Sequence, residues 1–201
     1  MRNPLLLVTL LLLALPVLAQ EPEQPIKTTI CAIKADPLVF NKKLVEVSGF
    51  ASHGFEDSMF EDPTCFWGDG RPGIWMEYGG TAATDTMYCC GVTPSKEKRQ
   101  LVLEGITVNL IRDPLFDRFD RLLHPQQKGP MKDITIQAVV RARIFAQNIS
   151  LGNLTRIGGY GHMGCCMMLA IEQVIEVKST KPGPSIFDLA KKAEATPASK
   201  P

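Results

Sequence analysis

The sequence predicts a mainly β protein with minor α: a small barrel of five to six strands, with one helix before the first barrel strand and one between the third and fourth. Three observations predict it. Ile134, Ile136, Ala138, Val140, Ala142 and Ile144 alternate with Thr135, Gln137, Arg141 and Arg143, which is the period-two pattern of a long strand with one buried face. An earlier strand, 44–50, sets Val45 and Val47 against Glu46 and Ser48 and carries Gly49 inside it, where a strongly coiled strand bends. Asp113-Pro114 then opens a helical stretch that separates the early strands from the two long late ones.

The elements follow in chain order. Residues 1–19 have Arg2, an apolar run over 5–18 and small residues at Val17-Leu18-Ala19, the pattern of a secretory signal peptide cleaved before Gln20. A membrane anchor needs about 20 apolar residues, whereas this run is shorter and contains Pro16. Residues 20–28, with Pro22, Pro25 and several charges, read as a short leader. A helix over 29–35 stops before Asp36-Pro37, because the residue before proline is pushed out of the α region. Asn41-Lys42-Lys43 turns the chain into the first strand. Ile74, Met76 and Tyr78 mark another strand, and 101–111 a further one. After Asp113-Pro114, the residues Leu115, Phe116, Phe119, Leu122 and Leu123 recur with helical spacing until Pro125. The last strand places Met167, Leu169, Ile171, Ile175 and Val177 on one face. The domain spans 29–178, and 179–201, rich in Lys, Ala, Ser and Pro, reads as a flexible tail with at most a helical turn near Ile186.

A coiled first strand and a helix between the third and fourth barrel strands describe an OB-like barrel. The stretch from Cys31 through Asn41-Lys42-Lys43 to Val45, Val47 and Gly49 also resembles the opening of small exported bacterial OB-fold proteins of mostly unassigned function. In those, a helix and an "asparagine or glycine, lysine" turn lead into a V-x-V-x-G strand. The resemblance runs on through Glu56-Asp57 and Cys65, and it implies export and a barrel rather than a reaction.

Charge narrows the partners. Of 22 basic and 21 acidic residues, the signal segment removes only Arg2, so the mature chain balances at 21 and 21. Nucleic-acid binders carry a basic excess to displace counterions from phosphates, and none is present. No segment after the signal is apolar enough to span a bilayer. The expected location is secreted or periplasmic, with a protein or small-molecule ligand of the cell envelope as partner.

Six cysteines in an exported chain point to disulfides: Cys31, Cys65, Cys89, Cys90, Cys165 and Cys166. Adjacent cysteines rarely bond each other, because the small ring strains the intervening peptide. The economical arrangement joins the Cys89-Cys90 loop to the Cys165-Cys166 loop, with the thiols of each pair diverging, and leaves Cys31 with Cys65. The alternative is a zinc or copper site, or a thiol-redox centre, built from Cys89, Cys90, His162, Cys165 and Cys166. Thiolate, imidazole and the nearby methionine sulfurs suit those metals, but paired C-x-x-C knuckles are absent. No cofactor is expected on the first reading.

Gly158-Gly159-Tyr160-Gly161-His162-Met163-Gly164 precedes a strand, so it lacks the helix N-terminus of a phosphate cradle. It reads as a flexible connection in which Tyr160 and His162 face a ligand, because OB barrels bind with their first and last inter-strand loops. His53 and Glu56 of the acidic stretch 53–62 lie in the first such loop, which reads as a solvated hairpin rather than a calcium loop. Trp67, Trp75 and Tyr78 read as packing residues. G-x-S-x-G, H-E-x-x-H, P-loop and C-x-x-C patterns are all missing. Pairing Cys165 or Cys166 with His162 as nucleophile and base leaves that base without an orienting group. Asn148-Ile-Ser150 and Asn153-Leu-Thr155 match glycosylation acceptors, of consequence only in a eukaryotic cell. The expected function is that of a noncatalytic binding or envelope-associated module.

Overall fold

A computed structural model describes residues 23–54, 56–65, 73–84, 86, 100–124, 134–151, 153–178, 184 and 186–195. The expected signal segment, Trp67, Cys89 and Cys90 lie outside the described residues.

Its centre is a closed five-stranded barrel. Strands β1 (Ile26–Thr29), β2 (Leu44–His53), β3 (Ser58–Glu61) and β4 (Ile74–Tyr78) come first, β5 (Val102–Leu103) and β6 (Ile106–Thr107) form a separate small hairpin, and β7 (Ile134–Phe145) follows. Next come a second hairpin, β8 (Gln147–Leu151) with β9 (Leu154–Gly158), and finally β10 (Met167–Val177). The large sheet runs β1-β2-β3-β4-β10-β7, and pairing of β7 back onto β2 closes it. All barrel pairings are antiparallel except that of β10 with β4. Period-two alternation sends Val45, Val47, Ile136, Ala138, Val140, Ala142 and Ile144 into the interior.

Helix α1 (Ile30–Ala35) starts where the Thr29 side chain accepts the Ala32 N–H at 3.1 Å and ends ahead of Asp36-Pro37. Helix α2 (Pro114–Leu123) follows β4 and precedes β7. Asp113 Oδ1 accepts the N–H groups of Leu115 and Phe116 at 3.0 and 2.8 Å, and proline occupies the first turn, where no donor is lost. Its buried Phe116, Phe119 and Leu123 join the barrel core.

Four expectations change. The run 101–111 is not a barrel strand: Glu104 and Gly105 adopt φ of 48° and 78°, the left-handed pair of a tight hairpin turn, so the run folds back as β5–β6. In β10, register shifts between Ile171 and Gln173 and again between Val174 and Glu176 exchange faces, so Val174 is buried in place of Ile175. Part of the expected leader is strand β1, which pairs in parallel with β2 through backbone groups that carry no sequence signature. In the expected tail, α3 (Ile186–Ala195) forms and lies against the short 3₁₀ turn Pro63–Cys65, with Ala190 buried.

Two covalent and ionic ties fasten α1 to the barrel. Cys31 is disulfide-bonded to Cys65, as expected. Lys34 Nζ donates to Glu61 Oε2 at 3.0 Å with both side chains buried, and Glu61 Oε1 accepts the Ile74 N–H at 3.1 Å. The acidic stretch is a hairpin of β2 with β3 whose tip is solvated, with Glu56 and Asp57 exposed, but whose β3 arm, Glu61 included, is buried. A second apolar cluster packs outside the barrel wall, where Trp75, Phe145 and Met168 meet Leu103, Val108 and Tyr160. Trp75 and Tyr78 pack, as their residue types predict.

Candidate functional site

Two loops meet at one edge of the barrel. The first, 54–57, links β2 to β3 and is held by a Gly54 N–H to Asp57 carbonyl bond of 2.9 Å. The second, 159–166, enters β10. His162 Nε2 of the second stands 4.0 Å from Glu56 Oε2 of the first. More than half of the Glu56 side chain is exposed, so the pair adds about 0–1 kcal/mol and its interest is positional. Met163, the residue after His162, presents an apolar side chain that is 60% exposed.

Sequence-local chemistry shapes the second loop. Gly161 has φ of 72° and a Cβ there would stand 2.4 Å from Trp75 Cε3, so only glycine lets the backbone lie flat on the indole. The glycine-rich segment is thus a packed turn and not a flexible connection. A 3₁₀ turn, His162–Gly164, follows, with Met163 at φ 58°. Cys165 is then in the right-handed helical region, φ −63° and ψ −29°, rather than extended.

That conformation overturns the expected divergence of the last two thiols. Cys165 and Cys166 are bonded to each other, their Cα atoms 3.7 Å apart, the spacing of a trans peptide. Alternation of faces applies only to extended residues, and the strand does not reach back through Cys165. Cys166 instead pairs its backbone with Tyr160, N–H to carbonyl in both directions at 3.1 Å.

Tyr160 and His53, expected on a ligand surface, are both buried. The Tyr160 hydroxyl donates to Glu104 Oε1 and accepts from Gln147 Nε2, each at 2.6 Å. Burial and the Glu104 carboxylate together push its pKa up, so it stays a neutral donor. His53 Nε2 lies 2.8 Å from the Thr84 carbonyl, and His124 Nε2 lies 2.9 Å from the same oxygen. The two rings meet edge to face with centroids 4.3 Å apart. Thr84 is itself fixed by buried Glu77, which accepts its N–H at 3.0 Å and its hydroxyl at 3.2 Å.

His124, at the C-terminal end of α2, also places Nδ1 3.0 Å from Asp120 Oδ1. Burial opposes its charge, yet the Asp120 carboxylate and the Thr84 carbonyl outweigh that and raise its pKa. The Asp120 pKa is lowered: burial works against ionisation, and the His124 contacts overcome it. The Asp120 contact orients the ring at the end of α2, and the ring's bond to the Thr84 carbonyl ties that end to the loop after β4. Sequence reasoning passed over this pair, although Asp120 and His124, four apart on a helix, share one face.

For metal, the one group of three His, Cys, Asp or Glu side chains converging among the described residues is Cys31, Asp62 and Cys65. Its two sulfurs are bonded to each other, so neither is the thiolate that zinc or copper requires. The same holds for Cys165 and Cys166. Among the described residues no helix is long and apolar enough to cross a membrane. No family model, curated protein or solved structure matches this chain.

Proposed function

We propose that the protein is an exported, noncatalytic OB-like binding module of the secreted or periplasmic space. Its partner, a protein or small molecule of the cell envelope, docks where loop 54–57 meets loop 159–166. The observation that carries this reading is the approach of His162 to Glu56 at 4.0 Å beside exposed Met163. A carboxylate and an imidazole approach each other, the residue after the imidazole presents an exposed apolar side chain, and the residue before it, Gly161, lies against Trp75. The OB-like assignment draws on the closed five-stranded barrel, on the helix between its third and fourth strands, and on the use such barrels make of their first and last inter-strand loops.

The test is photocrosslinking in the exporting cell, with a photoreactive residue in place of Met163 and, as control, in place of exposed Val102 on β5. A discrete adduct from position 163 that weakens in Glu56→Ala and His162→Ala supports the proposal. Equal adducts from both positions, or none from 163 in correctly exported protein, overturn it.

A further inference from the structure

Cys165 and Cys166 form a ring that closes across one peptide bond. Such a ring restrains almost nothing in the unfolded chain, because disulfide stabilisation grows with the length of loop closed. It differs in this from Cys31–Cys65, whose sulfurs are 34 residues apart in sequence and which ties α1 to the turn after β3. The two sulfurs of the ring also differ from each other. Cys166 is 3% exposed within the outer apolar cluster and is anchored to Tyr160 by two backbone bonds. Cys165 is partly exposed and sits at the end of the turn that carries His162 and Met163.

We propose that Cys165–Cys166 is a redox-active disulfide that accepts two electrons from a dithiol, with Cys165 the sulfur attacked. A thiolate of the dithiol bonds to Cys165 Sγ as the Cys165–Cys166 bond breaks, and Cys166 leaves as thiolate and takes up a proton. The second thiolate of the dithiol then attacks its partner sulfur in the mixed disulfide and releases Cys165, which is protonated in turn. The protein gains two electrons and two protons, and the dithiol becomes a disulfide. The backbone bonds of buried Cys166 to Tyr160 keep the entry to β10 in place. The freedom gained therefore falls on Cys165 and the 162–164 turn. The ring lies in the 159–166 loop of the proposed docking face, but this proposal does not rest on that face, because exchange at the sulfurs needs no ligand there.

The experiment is a titration of the native, oxidised protein with dithiothreitol, quenched by alkylation and read by peptide mass spectrometry. Cys165 and Cys166 are expected to be alkylated together at about tenfold less dithiol than opens Cys31–Cys65. The unfolding midpoint of that partly reduced protein should match that of the oxidised protein. Opening of Cys31–Cys65 first, or of both pairs only in denaturant, overturns the proposal. A native linkage of Cys165 or Cys166 to Cys89 or Cys90 in the same peptide map overturns it as well.

Discussion

Replacing Lys34 by methionine keeps most of the side chain's volume and removes its charge. In the native protein the ammonium meets Glu61 Oε2 at 3.0 Å, with both side chains at most 1% exposed. Breaking such a pair from one side strands a charge in a poorly solvated wall, at about 3–5 kcal/mol. Glu61→Leu should cost a similar amount, because it leaves the buried ammonium. The double variant Lys34→Met/Glu61→Leu should lose only about 1–3 kcal/mol, the cost of the Ile74 N–H losing its acceptor. The two substitutions are thus strongly non-additive. The assay is urea unfolding of the oxidised chain at neutral pH for wild type, both singles and the double. Single substitutions costing under about 1 kcal/mol, or a simple sum in the double, would refute the reasoning.

Three further outcomes follow from the same geometry. Cys31→Ser with Cys65→Ser frees a 34-residue separation and should lower unfolding free energy by about 3–4 kcal/mol, read by urea titration against the oxidised parent. The raised pKa of His124 contributes stability that is complete below its unfolded value and lost as pH rises through the folded one. The lowered pKa of Asp120 contributes stability that fades as pH falls below its ordinary range. His124→Gln should flatten the upper limb of a thermal-melt pH profile by about 0.5–1 kcal/mol, a helix-terminal cation discounted for partial exposure. Gly161→Ala drives a methyl into the Trp75 ring and demands a left-handed backbone of a residue that resists it. It should cost about 1–3 kcal/mol, read as a lowered midpoint in urea unfolding.

The parts of the fold visible in the sequence are those whose cause is local. β7 alternates over its whole length, so its buried face is written in residue types. Asp113-Pro114 carries its own cap. β10 is harder because two bulges reset its alternation midway, and bulges are set by neighbours rather than by the strand. Glu104-Gly105 held a usable turn signal inside 101–111, and the apolar residues around it masked the reversal. Lys34 and Glu61 look like solvent charges because each is isolated in sequence from the partner that makes its burial tolerable. At the docking edge, the loop residues His162 and Glu56 were legible as candidates, whereas the burial of His53 and Tyr160 depends on Thr84 and Glu104, distant in sequence. The bonding of Cys165 to Cys166 turns on one helical backbone conformation that strand periodicity argues against.

Hydrogen exchange with mass spectrometry on the purified protein, with and without a detergent-solubilised cell-envelope fraction, tests the proposed docking edge most directly. Residues 54–57 and 159–166 should gain protection together, and Glu56→Ala/His162→Ala should abolish that gain while the barrel strands exchange as before. Protection confined to the β5–β6 hairpin or to α3, with 54–57 and 159–166 unchanged, would contradict the account.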